Sequence, residues 1–222
     1  MLPLLVPHAG TFAAARTESA TKLTKEQVIQ CIVDAEKHDA DVLKIRETSD
    51  NWGPEIKKYL EFVGWSQPAA WCAAYQVYRL HKCGATMVPR TASVPQIWTW
   101  AQERGILRKG SDTNTRPERG DLCLLLDAEG PWGAYHIELV NVVSGNKVDC
   151  FGGNTSGVSS GSQDNGDGVY RTTRNIYNCD FVKWHRLLDA SLDNIVVGGV
   201  TLNANEIITS KTFIKPEKAT MF

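Results

Sequence analysis

Pro117-Glu118-Arg119-Gly120-Asp121-Leu122-Cys123-Leu124-Leu125-Leu126 is the stretch at which this chain changes period. A turn of Pro, Gly and charged residues runs straight into a short apolar run, which suits a buried strand. Upstream, apolar residues recur at helical spacing. Thr24-Lys25-Glu26-Gln27 forms a capping box with Thr24 as N-cap. Val28, Ile29, Ile32, Val33 and Ala35 then line a helix running to about His38. Pro54 suits the first turn of a second helix, with Ile56, Tyr59, Leu60 and Val63 on one side and Gly64 as its stop. A third starts near Cys72 and ends at Gly84. Its Ala73, Val77 and Leu80 should face the core, with Cys72, Tyr75, Gln76 and Arg79 on a neighbouring stripe nearer a cleft. Ser93 caps a fourth, which carries Ile97, Trp98 and Ala101 and stops at Gly105.

Downstream, residues 135–143 read as a strand, Ser144-Gly145-Asn146 as a hairpin turn and 147–152 as the returning strand. Residues 155–168, rich in Gly, Ser, Asp and Asn, read as a loop. Val169-Tyr170-Arg171-Thr172 and Phe181-Val182-Lys183-Trp184 read as later strands. Residues 196–201 and 206–213 are expected to pair with each other or with a partner. Helices first and antiparallel strands second define an α+β fold. The expected organisation is an N-terminal extension over 1–20, one domain over 21–190, and a tail or docking segment over 191–222.

The 222 residues suffice for one good core. With 24 Lys and Arg against 25 Asp and Glu, no charge imbalance points to nucleic acid or an anionic membrane. No apolar run reaches the roughly 20 residues that span a bilayer. Met1-Leu2-Pro3-Leu4-Leu5-Val6-Pro7-His8 is unlike a secretion signal, lacking a basic start and broken by Pro. Synthesis in a cytoplasm is expected, with any action outside it following lysis, particle assembly or dedicated export.

Cysteines stand at 31, 72, 83, 123, 150 and 179, with no CxxC pair, and most are expected to be free thiols. Cys72 stands apart. In Pro68-Ala69-Ala70-Trp71-Cys72-Ala73-Ala74-Tyr75 it lies where a helix begins, and unpaired amides there favour an anion. In Tyr135-His136-Ile137-Glu138-Leu139-Val140 alternation puts Ile137 and Leu139 on one face and His136 and Glu138 on the other. A thiol at a helix start and a histidine on a strand are the parts of a cysteine hydrolase: Cys72 attacks, and His136 moves the proton. A third polar group must orient the ring. Asn154, at the end of the next strand, is the first candidate and Glu138 the second. The Cys72 backbone N–H would help to hold the oxyanion.

Four of these stretches, in this order, resemble the CHAP group (cysteine, histidine-dependent amidohydrolase/peptidase) within the NlpC/P60 papain-like superfamily. They are Asn51-Trp52-Gly53-Pro54 with Trp71-Cys72-Ala73-Ala74-Tyr75, Pro117-Glu118-Arg119-Gly120-Asp121, His136-Ile137-Glu138-Leu139-Val140 and Gly152-Gly153-Asn154. The match covers roughly residues 24–186. It implies a papain-like fold with N-terminal helices packed on a small antiparallel sheet. It also implies cleavage of bacterial peptidoglycan, at the muramoyl–L-alanine amide or within the stem or cross-bridge peptide, with no cofactor. A phage lysin, a virion-associated hydrolase or an injected effector with an immunity protein would suit the expected route out of the cell. The family often has a small residue before its histidine and a Gly two after it, where this chain has Tyr135 and Glu138. Glu138 would then narrow the site or bind a cationic group of substrate, and it favours the rival reading of an inactive structural or adaptor protein.

Of seven tryptophans, Trp65, Trp71 and Trp132 lie near the expected cleft and, with Tyr135, are candidates for gripping substrate. Asp164-Asn165-Gly166-Asp167-Gly168 lacks the ligand spacing of a calcium loop. Cys72 and His81 are too far apart along one helix to share a zinc ion with Cys83. No metal is expected.

Overall fold

The computed structural model describes residues 23–127, 133–157, 165–190, 196–197 and 200–201. The first half is helical: α1 (Lys25–His38), α2 (Pro54–Phe62), α3 (Cys72–Lys82) and α4 (Val94–Glu103). The caps are those the sequence announces. Thr24 Oγ1 accepts the Gln27 amide while Gln27 Oε1 accepts the Thr24 amide, closing the box. Ser93 Oγ accepts the Gln96 amide at the head of α4. Periodicity does not reveal the π-helical turn Asp39–Leu43, which extends α1 and ends at Lys44 in the left-handed region. Asp39 is drawn inside there by Arg79, 2.5 Å away, and by the Tyr75 hydroxyl, which donates to it at 2.9 Å.

The second half forms a six-stranded antiparallel sheet: β1 (Leu107–Lys109), β2 (Leu122–Leu126), β3 (Ala134–Ser144), β4 (Lys147–Thr155), β5 (Gly168–Asn175) and β6 (Cys179–Val182). Its strand order is β1-β6-β2-β3-β4-β5. The three-residue β1 is too short for a period and is held by pairing with β6. β7 (Val196–Val197) pairs antiparallel with β8 (Val200–Thr201). Residues 206–213 lie outside the described residues, as do 1–22.

The helices cover one face of the sheet. Val28, Ile32, Ala73, Val77, Leu80 and Ile97 pack against Leu122, Leu124, Ile137, Leu139, Phe151 and Val182. Burial of each large apolar side chain is worth about 1.5–3 kcal/mol, so this layer is the main cohesive contact. Cys123, Leu125, Val140, Val148, Cys150, Cys179 and Phe181 form a second cluster on the sheet. A third core region is aromatic: Tyr59, Trp71 and Tyr75 stack and cross between α2 and α3.

Cys31 and Cys83 form a disulfide across 52 residues, tying α1 to the end of α3. A closed loop of that length stabilises by about 4 kcal/mol on the chain-entropy account. The other four cysteines are free. Nothing in the spacing distinguishes the bonded pair.

The 117–121 turn is held by buried ions. Asp121 accepts the Glu118 amide at 2.7 Å and lies 2.8 Å from His185 Nε2 and 3.2 Å from Lys183 Nζ. Lys183 is wholly buried and also donates to Glu118 and to the Arg116 carbonyl. The segment that follows β6 is thereby locked to the residue that opens β2.

Beneath α3 lies a buried acid. Gln76 Nε2 donates to Glu36 Oε2 at 3.2 Å, while Glu36 Oε1 and Gln76 Oε1 have no hydrogen-bond partner among the described residues. Burial pushes the Glu36 carboxyl well above its ordinary value of 4.5. A proton on Glu36 removes the buried charge and turns an orphaned acceptor into a donor. Because the folded state keeps a proton that the unfolded chain releases near pH 4.5, stability falls as pH rises from there to the folded value. Glu36→Gln keeps the paired geometry without a charge. Its stability advantage over wild type should widen by up to about 1.4 kcal/mol per pH unit above that point. Urea titrations at pH 5 and pH 8 would measure this, and an equal gap at both would refute it.

Candidate functional site

Cys72 is the first residue of α3, and its N-cap, Trp71, provides no side-chain cap. The helix packs on β3 and β4. Its stripe of Cys72, Tyr75 and Gln76, expected nearer a cleft, is buried, with Cys72 only 3 % exposed. The helix is covered on that side by β4, which passes close because it carries two glycines. A Cβ on Gly152 would lie 2.8 Å from Glu138 Cγ, and one on Gly153 would run into the Trp71 ring and sit 2.9 Å from that of Tyr75. The Gly-Gly pair therefore lets one strand pass between the Cys72 helix and the Glu138 side chain.

His136 is fully buried on β3, paired across to Leu125 of β2. Its Nε2 lies 3.3 Å from Glu138 Oε1. Both ring nitrogens are buried, and neither makes a hydrogen bond of good geometry among the described residues, so the contact of Nε2 with Glu138 is an ion pair. Burial pushes the imidazole pKa down, but the neighbouring Cys72 and Glu138 outweigh this and raise it to about 9. Burial likewise opposes the charge on Glu138, yet Arg174 and His136 hold its carboxyl down at about 2. Glu138 is thus an anion and His136 a cation across the neutral range.

Glu138 has two further partners, both from β5. Arg174 donates from Nε to Oε2 at 2.8 Å and from Nη2 to Oε1 at 2.5 Å, and Thr172 Oγ1 donates to Oε2 at 2.7 Å. The carboxylate expected to meet a cationic group of substrate is therefore occupied by a cation of the chain itself. Neither Thr172 nor Arg174 belongs to the predicted set. The available signal is alternation along β5, where residues 170, 172 and 174 are partly buried between exposed neighbours.

Asn154 is buried at the end of β4 with φ of 56°, and its carbonyl accepts the Gly166 amide. The β3–β4 ladder ends at Leu139–Phe151, and His136 and Asn154 each lie three residues beyond that pair. Glu138, the second candidate, is the one in contact with His136 Nε2. Trp71 is completely buried, its Nε1 donating to Glu47 at 2.7 Å, so its ring is core and offers no surface to a ligand. Trp65 and Tyr135 are exposed. Trp132 lies outside the described residues.

No three His, Cys, Asp or Glu side chains form a metal-binding group among the described residues. Cys83, one member of the zinc set considered above, is in the disulfide. No described helix is long and apolar enough to cross a membrane. No protein-family model matches the chain, and no curated protein is significantly similar to it.

Proposed function

We propose that this chain is a cysteine amidase or endopeptidase of the papain-like CHAP type, acting on an amide bond of bacterial peptidoglycan. The observation that carries the reading is a cysteine at an uncapped helix start beside a buried histidine whose far nitrogen faces a carboxylate. Glu138 at Nε2 leaves Nδ1 to exchange a proton with the thiol. The Cys72 sulfur adds to the substrate carbonyl carbon while His136 carries the thiol proton. First-turn amides of α3 face the charge that grows on the carbonyl oxygen. Collapse of the tetrahedral species breaks the C–N bond, and His136 protonates the departing amine. Water, deprotonated by His136, then hydrolyses the thioester and regenerates the thiol.

Glu138 at the sequence level favours an inactive adaptor. Its contacts with His136, Thr172 and Arg174 suit instead a carboxylate that orients and stabilises an imidazolium. The Cys31–Cys83 disulfide suits work in an oxidising compartment, outside the cytoplasm.

Purified walls incubated with the protein should lose turbidity. The soluble fragments should carry new amino termini and no new reducing sugar ends. Prior treatment with iodoacetamide at mildly acidic pH should prevent clearing through modification of Cys72. Burial pushes the thiols of Cys123 and Cys150 upward, and hydrogen bonding with Cys123 followed by burial pushes up that of Cys179, so all three should label slowly. Folded protein that clears no wall type would overturn the substrate assignment. Preferential labelling of another thiol would count against Cys72.

A further inference from the structure

We infer that Arg174 is a positioning residue of this site, acting on Cys72 and His136 through Glu138. The inference rests on the cysteine-hydrolase reading above and extends it from three groups to four. Arg174 forms a two-pronged ion pair with the same carboxylate that meets His136 Nε2, so one anion bridges two cations. Thr172 fills a further lone pair of Glu138 Oε2. A buried carboxylate held on three sides has little freedom to rotate, and the ring it faces is held with it.

The charged partner is required because the surroundings of Glu138 are otherwise hostile to an anion. Cys123 on β2 pairs directly across from Glu138, and Gly152 on β4 closes over its Cγ. The other titratable groups that act on or are acted on by this carboxylate are Cys150 on β4, Cys179 on β6 and the buried Glu36 of α1. His136 and Arg174 are the cations that hold it ionised. Arg174 itself is 14 % exposed and lines a surface hollow of about 560 Å³ with Tyr135 and Tyr177. It stays partly hydrated while its fork reaches inward, so a charge is held deep in the fold at reduced desolvation cost.

Without Arg174, a proton enters the Glu138–His136 pair at a higher pH, because the positive charge this leaves on the pair no longer meets a second one on Arg174. Protonated Glu138 no longer stabilises the imidazolium. The consequence is specific: the low-pH fall in Cys72 reactivity moves upward.

The test is the rate of Cys72 alkylation by iodoacetamide from pH 3 to pH 10, followed by peptide mass spectrometry, in wild type, Arg174→Met and Arg174→Lys. This readout needs no wall substrate, so a failed wall assay and a failed role for Arg174 are distinguishable. Arg174→Met should move the acid inflection up by at least one pH unit, which is about a tenfold slower reaction on the acid side of the curve. Arg174→Lys keeps the charge but loses the fork. It should leave that inflection within a few tenths of a unit of wild type and, on whatever substrate is cleaved, lower kcat with little change in KM. Melting curves establish that the variants fold, and Arg174→Gln, which removes the charge but keeps a hydrogen-bond donor, carries the test if the methionine variant does not fold. An acid inflection in folded Arg174→Met equal to that of wild type would overturn the inference. So would an equal displacement in Arg174→Lys, since a merely structural role predicts no rescue by charge.

Discussion

Cys72→Ala protein should fold, melt within a few degrees of wild type and have no measurable wall-clearing activity. Loss of a catalytic nucleophile costs up to roughly 10⁶-fold in kcat where nothing replaces it. Nothing here is placed to do so: the remaining free thiols lie on β2, β4 and β6 in their own cluster. The structural cost is small because the substitution removes one sulfur atom from a side chain at the head of α3. That helix keeps Ala73, Val77 and Leu80 in the core. Circular dichroism melts and turbidity assays on the same preparations check both halves. Clearing at the wild-type rate would remove Cys72 from the mechanism. A variant that fails to fold would give the side chain a structural weight that its size does not predict.

Asp121→Ala should cost about 3–5 kcal/mol, read by urea denaturation, with a fall in Tm on the order of 10 °C. The size follows from what stays behind. Lys183 is wholly buried and would keep Glu118 and a carbonyl but lose Asp121, and His185 would lose its carboxylate. The Glu118 amide that Asp121 accepts would be left open in the turn. A compensating change provides the sharper reading. Asp121→Ala combined with Lys183→Met removes the stranded ammonium, and the double variant should recover part of the loss of the single one. Additive losses would mean that the two residues act independently. A loss below about 1 kcal/mol for Asp121→Ala would mean that the 117–121 turn is held by its backbone alone.

Local elements were legible in the residues because their causes lie within a few positions. Thr24 and Gln27 close a box over three residues, and Ser93 caps α4 over the same span. The alternation that placed Ile137 and Leu139 toward the helices is set by the pleat of one strand. The candidate site was legible only as a set of parts. Cys72 and His136 were chosen by chemistry and local position. Which side chain meets the ring was open between Asn154 and Glu138; Glu138, two residues along the same strand face, is the one beside Nε2, and the tertiary structure supplies the β5 partners that hold it there. Trp71 was a candidate for gripping substrate because it stands at a helix start near the expected cleft, yet α2, α3 and β4 enclose it.

By itself the sequence determined the α+β order, the caps, the turn at 117–121, the placement of a thiol at a helix start and the face shared by His136 and Glu138. Each depends on φ and ψ preferences and hydrogen bonds within a turn or a pleat. Only the tertiary structure decided that Arg174 and Thr172 hold Glu138, that Cys31 finds Cys83, that Asp39 pairs with Arg79, and that Lys183 is sealed against Asp121. Those partners are 34 to 62 residues apart. Over such distances no local preference selects one charged or polar residue over another of its kind. The choice is made by strand order and helix packing, which bring two groups into a space without water and leave each no other way to satisfy its charge or its hydrogen bonds.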